Sequence, residues 1–465
     1  MTLKVGTYDT KAAQNASLAD LTNAFARLGI NNIYIKRLAP NDNSKNQPYF
    51  GAHLTDLPFL PTGDIESSAS ASKKTNNPKR QIKYQAKLDL CWIDIEGKSY
   101  PAPNSKLIYY PQYPEVRFSG FLKGSEVNIS RWMDVNKEGR AEGRWLILGI
   151  ADSKVFAYLV SPDSLLTSEL ARTKLTPTST IFGMLNISSA SVVTDTRDAL
   201  LTKLLDVHQM GWIDGCKLGN DLNAHPYKAP NGGGYTLEAM LGIKPNGVAE
   251  PDFLGWEVKQ FGVKDFPLKG AKPTTLMTPE PNDGFYKTQG VIPFMHRFGY
   301  PDKSGKPDRI NFGGRHLANK VCAATNLCLE IQGFDVSTNR ILDANGQLAL
   351  VNASNETAAS WSFAKLMDHW KKKHSQAVYV PCKMRKSKTT MQYLYGANIE
   401  LGVGTTFEMF LAAMALGYVY YDPGIKLENA SSPTPKTKRR SQFRINHKFL
   451  NTLYKNLDFI DLTTR

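Results

Sequence analysis

Cysteine is scarce in this sequence, and long apolar runs are missing from it. The 465 residues include five cysteines and no C-x-x-C pair, and such an odd, scattered set argues against a disulfide framework. The most apolar segment, FEMFLAAMALGYVYY (407–421), is too short to span a bilayer and includes Glu408. The opening MTLKVGTYDT lacks the apolar core of a signal peptide. We therefore expect a cytoplasmic protein that makes no membrane contact.

Two common site motifs are also missing. The GGG at 232–234 is not followed by Lys-Ser or Lys-Thr, which excludes a nucleotide-triphosphate loop there. The segment HWKKKH (369–374) has neither the spacing nor the Glu of a zinc-binding helix. We expect it to form a solvated helix face.

Acidic residues are outnumbered by basic ones. The chain has 57 Lys and Arg against 42 Asp and Glu, a formal net charge of +15. A protein this basic often meets a polyanion, because charge steering and counterion release favour binding. A generic basic surface without a specific partner is the alternative.

The length and the local patterns indicate two domains. Residues 1–165 contain short alternating segments split by Gly, Pro and Asn, which predict a mostly-β barrel or sandwich. A helix ending at Gly29 precedes them. Residues 166–192 mix Ser, Thr and Pro and are expected to be a linker. Helices and strands alternate over 193–465, which favours an α/β or α+β domain.

The stretch EPDFLGWEVKQF (250–261) brings opposite charges together on a strand-like segment. Glu257 and Lys259 are two residues apart, so they share one face, while Trp256 and Val258 point to the core on the other face. Asp252 is an odd number of residues from Glu257, so a regular strand would direct its side chain to the opposite face. We expect a bend or bulge at Gly255 that brings it round.

Clustered carboxylates repel one another unless a cation neutralises them. Mg²⁺ prefers oxygen ligands and can polarise a phosphodiester, and a nearby lysine can orient water or stabilise developing charge. Upstream, Thr236 is expected to cap a short helix that stops at Gly242, with Glu238 in its first turn, where the helix dipole favours a carboxylate. An ordinary salt-bridge network remains the alternative for the cluster.

The region resembles the MvaI/BcnI group of restriction endonucleases, in the MutH-like branch of the PD-(D/E)XK nucleases. The resemblance covers about 196–465 and is carried by KLLDVHQMGWIDGCKLGN, GGGYTLEAMLGI and PDFLGWEVKQF. It implies a PD-(D/E)XK nuclease domain with Mg²⁺ as cofactor. Asp252, Glu257 and Glu238 would face the metal, and Lys259 would position or activate the attacking water.

The N-terminal part resembles the β-barrel effector domain of EcoRII-type enzymes, over IYIKRLAPNDNSKNQPYFG (33–51) and more weakly over YPEVRFSGFLKG (113–124). Arg and Lys suit guanine edges and phosphates, and Asn suits adenine; an Asn-rich turn is the alternative. The resemblance implies that these residues grip duplex DNA: Lys36, Arg37, Asn41, Asn43, Lys45, Asn46 and Arg117.

Basic residues in the C-terminal part are further candidates for DNA contact. His296-Arg297 and Arg315-His316 stand in predicted loops, and a basic run follows a Ser-Pro-Thr-Pro segment. Solvated side chains are the alternative for each. The run comprises Lys436, Lys438, Arg439, Arg440 and Arg444.

These observations predict a type II, site-specific, Mg²⁺-dependent endonuclease that cuts double-stranded DNA in restriction-modification and phage defence. By resemblance it would act as a monomer, and its two DNA-binding regions could engage two copies of the site. A MutH-like nicking endonuclease and a non-catalytic DNA-binding protein with a nuclease fold are the alternatives.

Overall fold

The computed structural model divides the chain into two compact units, Met1–Thr194 and Asp195–Arg465. The residues it describes are 11–40, 47–68, 82–127, 129–133, 141–178, 181–187, 196–229, 231–243, 252–388 and 390–464. In this part of the chain, no helix is long and apolar enough to cross a membrane.

The first unit is built mainly of strands. Its described helices are α1 (Lys11–Asn15), α2 (Leu18–Ala26), α3 (Ser130–Met133) and α4 (Leu165–Arg172). Its described strands are β1 (Asn32–Arg37), β2 (Tyr49–Gly51), β3 (Ile65–Ser67), β4 (Tyr84–Lys87), β5 (Leu90–Ile93), β6 (Ser99–Pro101), β7 (Lys106–Tyr110), β8 (Glu115–Ser119), β9 (Trp145–Ala151), β10 (Lys154–Val160), β11 (Thr176–Pro177) and β12 (Gly183–Asn186).

These strands form two open sheets, with orders β11-β12-β1-β9-β10-β5-β6 and β2-β8-β7-β4-β3. Within the described residues neither sheet closes on itself, so the expected barrel is not found. The strands at the ends of both sheets, β11, β6, β2 and β3, have only two or three residues each, which limits the exposed hydrogen-bonding edge. The short edge strands therefore reduce the unpaired edge that closure into a barrel would have removed.

The segment expected to be a linker, 166–192, contributes to the larger sheet. Strand β12 pairs antiparallel with β1, with Asn32 opposite Asn186 and Ile35 opposite Gly183. Most of α4 also falls in this segment. The described part of 166–192 therefore belongs to the first unit.

The second unit mixes helices and strands. Its described helices are α5 (Thr196–Gln209), α6 (Gly232–Met240), α7 (Phe285–Gln289), α8 (Val291–Phe298), α9 (Phe363–His374) and α10 (Phe407–Ala415). Its described strands are β13 (Ile213–Asp214), β14 (Cys216–Leu218), β15 (Ala224–Pro226), β16 (Glu257–Gly262), β17 (Thr274–Met277), β18 (Tyr300–Pro301), β19 (Arg309–Gly313), β20 (Val321–Cys322), β21 (Leu327–Gln332), β22 (Phe334–Asp335), β23 (Arg340–Ile341), β24 (Gln347–Val351), β25 (Thr357–Ser362), β26 (Gln376–Lys386), β27 (Met391–Tyr395), β28 (Asn398–Val403), β29 (Val419–Tyr421), β30 (Gly424–Glu428), β31 (Lys436–Lys438), β32 (Phe443–Ile445) and β33 (Asn456–Asp461).

Strand β26 organises the sheet that carries the candidate site. It pairs in parallel with the whole of β16 and antiparallel with β27 and β28. Strand β13 extends this sheet beyond β27, and β33 extends it beyond β28. The remaining strands form smaller sheets, with orders β14-β15, β17-β32-β29, β18-β19-β30-β31, β20-β21-β24-β25 and β22-β23.

Helices α5 and α6 belong to the same hydrophobic core as this sheet. The buried face of α5 includes Leu200, Leu204 and Val207, at the spacing that lines one side of a helix. They share the core with Trp256 at the entry to β16 and Val258 within it. The prediction that these two residues point into the core is confirmed, and it leaves their neighbours Glu257 and Lys259 to the other face.

Candidate active site

A tight turn precedes β16. The backbones of Phe253 and Trp256 exchange two hydrogen bonds, of 2.9 and 2.8 Å. The two residues between them have positive φ angles, 47° at Leu254 and 89° at Gly255. Two consecutive left-handed residues form a turn of the hairpin type. The predicted irregularity at Gly255 is confirmed, and it reverses the chain immediately before the strand.

The turn returns Asp252 to the start of β16. Its Oδ2 accepts a hydrogen bond from the backbone N–H of Val258, 3.0 Å away. The neighbouring strand residue Glu257 is 1% exposed, and the Lys259 ammonium donates a hydrogen bond to its Oε1. Asp252, Glu257 and Lys259 are therefore brought together, as their spacing in the sequence predicted.

A second lysine reaches the same carboxylates. Lys373, near the end of α9, places its Nζ 3.1 Å from Glu257 Oε2 and 3.6 Å from Asp252 Oδ1. Lys373 was not among the residues predicted for the site, because HWKKKH was expected to form a solvated helix face. Residue periodicity along α9 can indicate which face of the helix is buried. It gives no information about a contact with Asp252 and Glu257, which are more than a hundred positions earlier.

Helix α6 differs from its prediction at its start. It begins at Gly232, so Thr236 lies inside the helix and is not its N-cap. The Thr236 hydroxyl is buried and is 2.8 Å from the Gly232 carbonyl, to which it donates, and it accepts from the Cys216 backbone N–H at 3.1 Å. Gly242 follows the helix with φ 74°, as predicted for its stop.

Glu238 consequently lies in the last turn of α6, where the helix dipole disfavours a carboxylate. Dipole stabilisation therefore cannot explain its presence. Burial raises the pKa of Glu238 to about 7, and the negative charge of Asp252 adds to that rise. Charges of the cluster thus influence Glu238, which lies within electrostatic range of it.

The pKa values of Glu257 and Lys259 are shifted by burial and by the charges of neighbouring side chains. Burial raises the pKa of Glu257, and the ammonium groups of Lys259 and Lys373 oppose that rise. For Lys259, burial lowers the pKa, but the charges of Glu257 and Asp252 outweigh it and the net shift is upward. Lys259 is therefore a cation at neutral pH.

The cluster offers a magnesium ion carboxylate oxygens from two residues, Asp252 and Glu257. In the described ranges, no three His, Cys, Asp or Glu side chains are grouped closely enough to hold a metal ion. Asp252 and Glu257 nevertheless direct one oxygen each at a single cation, the Lys373 ammonium. Mg²⁺ is commonly held by one or two carboxylates with retained waters, so this pair is sufficient. The expected third carboxylate, Glu238, does not form a group of three with Asp252 and Glu257 in this structure.

Comparison with known proteins identifies the family. Residues 201–454 match the MvaI/BcnI restriction endonuclease family, and this range is more than half of the 465 residues. The chain belongs to this family. Membership in the MvaI/BcnI family implies a DNA nuclease and confirms the resemblance of the C-terminal part of the sequence to the MvaI/BcnI group. The EcoRII-like resemblance lies outside the matched range and stays a prediction.

Solved structures with similarity to this MvaI/BcnI-family chain include two of the restriction endonuclease MvaI. The complex of MvaI with its cognate DNA substrate has 18% identity and a TM-score of 0.43, over 58% of this chain and 99% of that chain. MvaI in the absence of DNA has 18% identity and a TM-score of 0.32 over the same shares. No curated protein sequence matches the chain.

Two basic pairs of the MvaI/BcnI-family unit were predicted to contact DNA from loops. His296 and Arg297 lie instead on α8, and Arg297 pairs with Glu356 at 2.7 Å. His316 is completely buried and hydrogen-bonds to Thr325 Oγ1 at 2.8 Å. This burial corrects the expectation of DNA contact for His316.

Arg315 and the basic run near the C-terminus differ in exposure. Arg315 is exposed, with its guanidinium 5.3 Å from the centroid of the Tyr420 ring. Arg444 is half-buried and donates to Asp422 Oδ2 and the Pro273 carbonyl, both at 2.8 Å, so these contacts already occupy its two terminal nitrogens. The exposed members of the run are Lys436, Lys438, Arg439 and Arg440.

The candidates in the first unit are only partly described. Asn41, Asn43, Lys45 and Asn46 lie outside the described residues. Lys36 is half-buried and Arg37 is exposed, at the end of β1. Arg117 on β8 pairs with Glu115 at 2.7 Å. Arg37 is thus the described member of this set with the most accessible side chain.

Proposed function

We propose that this chain is a site-specific, Mg²⁺-dependent type II endonuclease that hydrolyses phosphodiester bonds in double-stranded foreign DNA. One observation carries the proposal. Asp252 and Glu257 direct oxygens at one cation position beside the Lys259 ammonium, within the range that matches the MvaI/BcnI family. This set of groups is suited to a phosphodiester, which gains negative charge as water attacks.

Asp252 and Glu257 would hold the magnesium ion, and Glu238 would lie within electrostatic range of it. When bound, Mg²⁺ neutralises these carboxylates and stabilises charge on the phosphate. The protein keeps both carboxylates in place before DNA arrives. Asp252 is fixed by the Val258 N–H, and Glu257 is fixed by its burial at the start of β16.

Lys259 would act as a fixed positive charge and hydrogen-bond donor. In the metal-free protein, the charges of Glu257 and Asp252 raise its pKa against the effect of burial, so it holds its proton there at neutral pH. It can orient the attacking water by donating to its oxygen, or it can stabilise the developing charge on the phosphate. Its hydrogen bond to Glu257 keeps the ammonium at the cluster.

The first unit would bind DNA as an effector domain and activate cleavage at a second copy of the site, with the chain acting as a monomer. This part of the proposal is supported by the EcoRII-like sequence pattern and by the exposed Arg37 at the end of β1. The net charge of +15 favours DNA contacts by both units.

Cleavage of phage DNA tests the proposed function. The protein is incubated with phage DNA and Mg²⁺, and the ends are sequenced strand by strand. We expect breaks in both strands at one short recurrent sequence, and no breaks with EDTA. Cuts confined to one strand would favour a MutH-like nicking enzyme. Intact DNA under all Mg²⁺ conditions would favour a non-catalytic DNA-binding protein.

A further inference from the structure

Lys373 lies where the two principal carboxylates of the candidate site converge. Its Nζ is 3.1 Å from Glu257 Oε2 and 3.6 Å from Asp252 Oδ1. Lys259 pairs with the other oxygen of Glu257, Oε1. The two lysines thus have different positions, and only Lys373 bridges the two carboxylates in the ion pairs described.

The end of α9 is held so that Lys373 faces the cluster. Its neighbour His374 is completely buried; Nε2 donates to the Leu276 carbonyl at 3.1 Å, and Nδ1 accepts from the Tyr454 hydroxyl at 3.0 Å. The Trp370 ring stacks on His374 with centroids 4.1 Å apart. These contacts fix the last turn of the helix and therefore the direction from which Lys373 approaches.

The two principal carboxylates face two ammonium groups without a metal ion. The negative charges of Asp252 and Glu257 are matched by the two ammonium groups of Lys259 and Lys373. A divalent ion bound to the same oxygens would lie close to the Lys373 ammonium, and like charges at such distances repel strongly inside a protein. Lys373 and a divalent ion therefore compete for the same two carboxylates.

We propose that Lys373 is a built-in counter-ion that occupies the cation position of the free enzyme and must withdraw before a divalent ion binds. This inference rests on the proposed function, since it takes Asp252 and Glu257 as the metal-holding pair. Lys373 would then keep the metal affinity of the free enzyme low. When DNA arrives, a phosphate can pair with the displaced ammonium, so metal binding would be linked to DNA binding.

Binding of Mn²⁺ to the DNA-free protein, measured by electron paramagnetic resonance, tests the inference without any measurement of activity. Lys373→Met keeps an unbranched side chain only one atom shorter and removes its charge, and Lys373→Arg keeps the charge. Lys372→Met is the matched control, because Lys372 is the adjacent lysine and pairs with Asp368 at 2.9 Å. Asp252→Asn tests the metal position itself. Thermal melting verifies folding, and Lys373→Gln replaces Lys373→Met if the latter fails to fold.

We expect Lys373→Met to bind Mn²⁺ about tenfold more tightly than the wild type, in the usual range for coupling between two ligands. Lys373→Arg and Lys372→Met should stay close to the wild type, and Asp252→Asn should bind more weakly. If Lys373→Met leaves the affinity unchanged or lowers it while Asp252→Asn weakens it, the counter-ion role is wrong and the proposed function stands. If Asp252→Asn changes nothing, or if neither the wild type nor Lys373→Met binds Mn²⁺, the metal site is wrong and both proposals fail.

Discussion

The Asp252 carboxylate is tied to the strand that it precedes, because its Oδ2 accepts a 3.0 Å hydrogen bond from the backbone N–H of Val258. The intervening turn makes this contact possible, since Leu254 and Gly255 both have positive φ angles. The position of Asp252 therefore depends on a backbone conformation that glycine adopts at low cost.

Replacing Gly255 by Ala should disturb the site more than the fold. A Cβ at this position would be strained by the φ of 89° and would lie 3.2 Å from Gln376 Nε2. We expect a loss of about 1 kcal/mol in the free energy of unfolding. Cleavage should slow by about tenfold or more, since small misplacements of catalytic groups are costly.

Gly305→Ala is the matched control for this change. Gly305 is an exposed glycine with φ 80°, and a Cβ added there would meet no atom within 4 Å. It should lose similar stability and keep full cleavage. Equal cleavage by the Gly255 and Gly305 variants would show that the turn does not position Asp252.

Lys259→Ala should abolish cleavage and leave DNA binding nearly intact. Removing a fixed donor from an active site typically lowers the rate by about a hundredfold or more, whereas one lysine contributes little to the binding of a long duplex. Cleavage rates and a gel-shift titration would measure the two effects separately. Lys203→Ala, on the outer face of α5 and 58% exposed, should cleave like the wild type. Unchanged cleavage by Lys259→Ala would overturn the active-site assignment.

The stability of the protein should fall in mild acid because of His374. Burial holds the pKa of His374 well below its ordinary value of 6.5, and the charge of Lys259 lowers it further. At pH values below 6.5, His374 becomes protonated in the unfolded chain but stays neutral in the folded protein. The contribution of His374 is therefore complete above 6.5 and is lost progressively as the pH falls below it.

Urea unfolding at about pH 7.5 and about pH 5.5 would measure this effect, with an expected difference of about 1 kcal/mol from this one group. In His374→Gln the fall in unfolding free energy between the two pH values should be smaller by that amount. His296→Gln, at an exposed position on α8, should retain the fall of the wild type. An undiminished fall in His374→Gln would contradict the prediction.

Activation through the first unit predicts that a plasmid with two sites is cut faster than a plasmid with one. Arg37→Ala should reduce this preference and leave the slow cleavage of the one-site plasmid unchanged, because Arg37 lies in the first unit and the candidate active site lies in the second. Initial rates on the two plasmids, at equal site concentration, would measure the preference. Equal rates for the wild type would end the effector hypothesis.

Much of the local structure could be predicted because it depends on near neighbours in the sequence. The leucine spacing of α5, the strands β1, β9 and β10, and the turn at Gly255 all follow from periodicity and glycine chemistry. The placement of Asp252, Glu257 and Lys259 at the start of β16 follows from the same local rules.

The remaining features depend on contacts between distant segments. Lys373 reaches the site because β26, which follows α9, pairs with β16, and no local pattern encodes that pairing. Thr236 was wrongly predicted to be a cap, because its hydroxyl bonds to Cys216 at 3.1 Å, twenty positions earlier. His316 packs against Tyr421, more than a hundred positions later, and local composition could not indicate this contact.

If Glu238 takes part in catalysis as its sequence context predicts, stability and activity make opposite demands on this protein. It is a partly buried carboxylate in the last turn of α6 beside another negative charge, and each of these circumstances disfavours its ionised form at neutral pH. Libraries selected only for heat resistance should therefore become enriched in neutral residues at this position. Under that catalytic role, such thermostable variants would be impaired nucleases, so a directed-evolution campaign would need to select for cleavage in the same round.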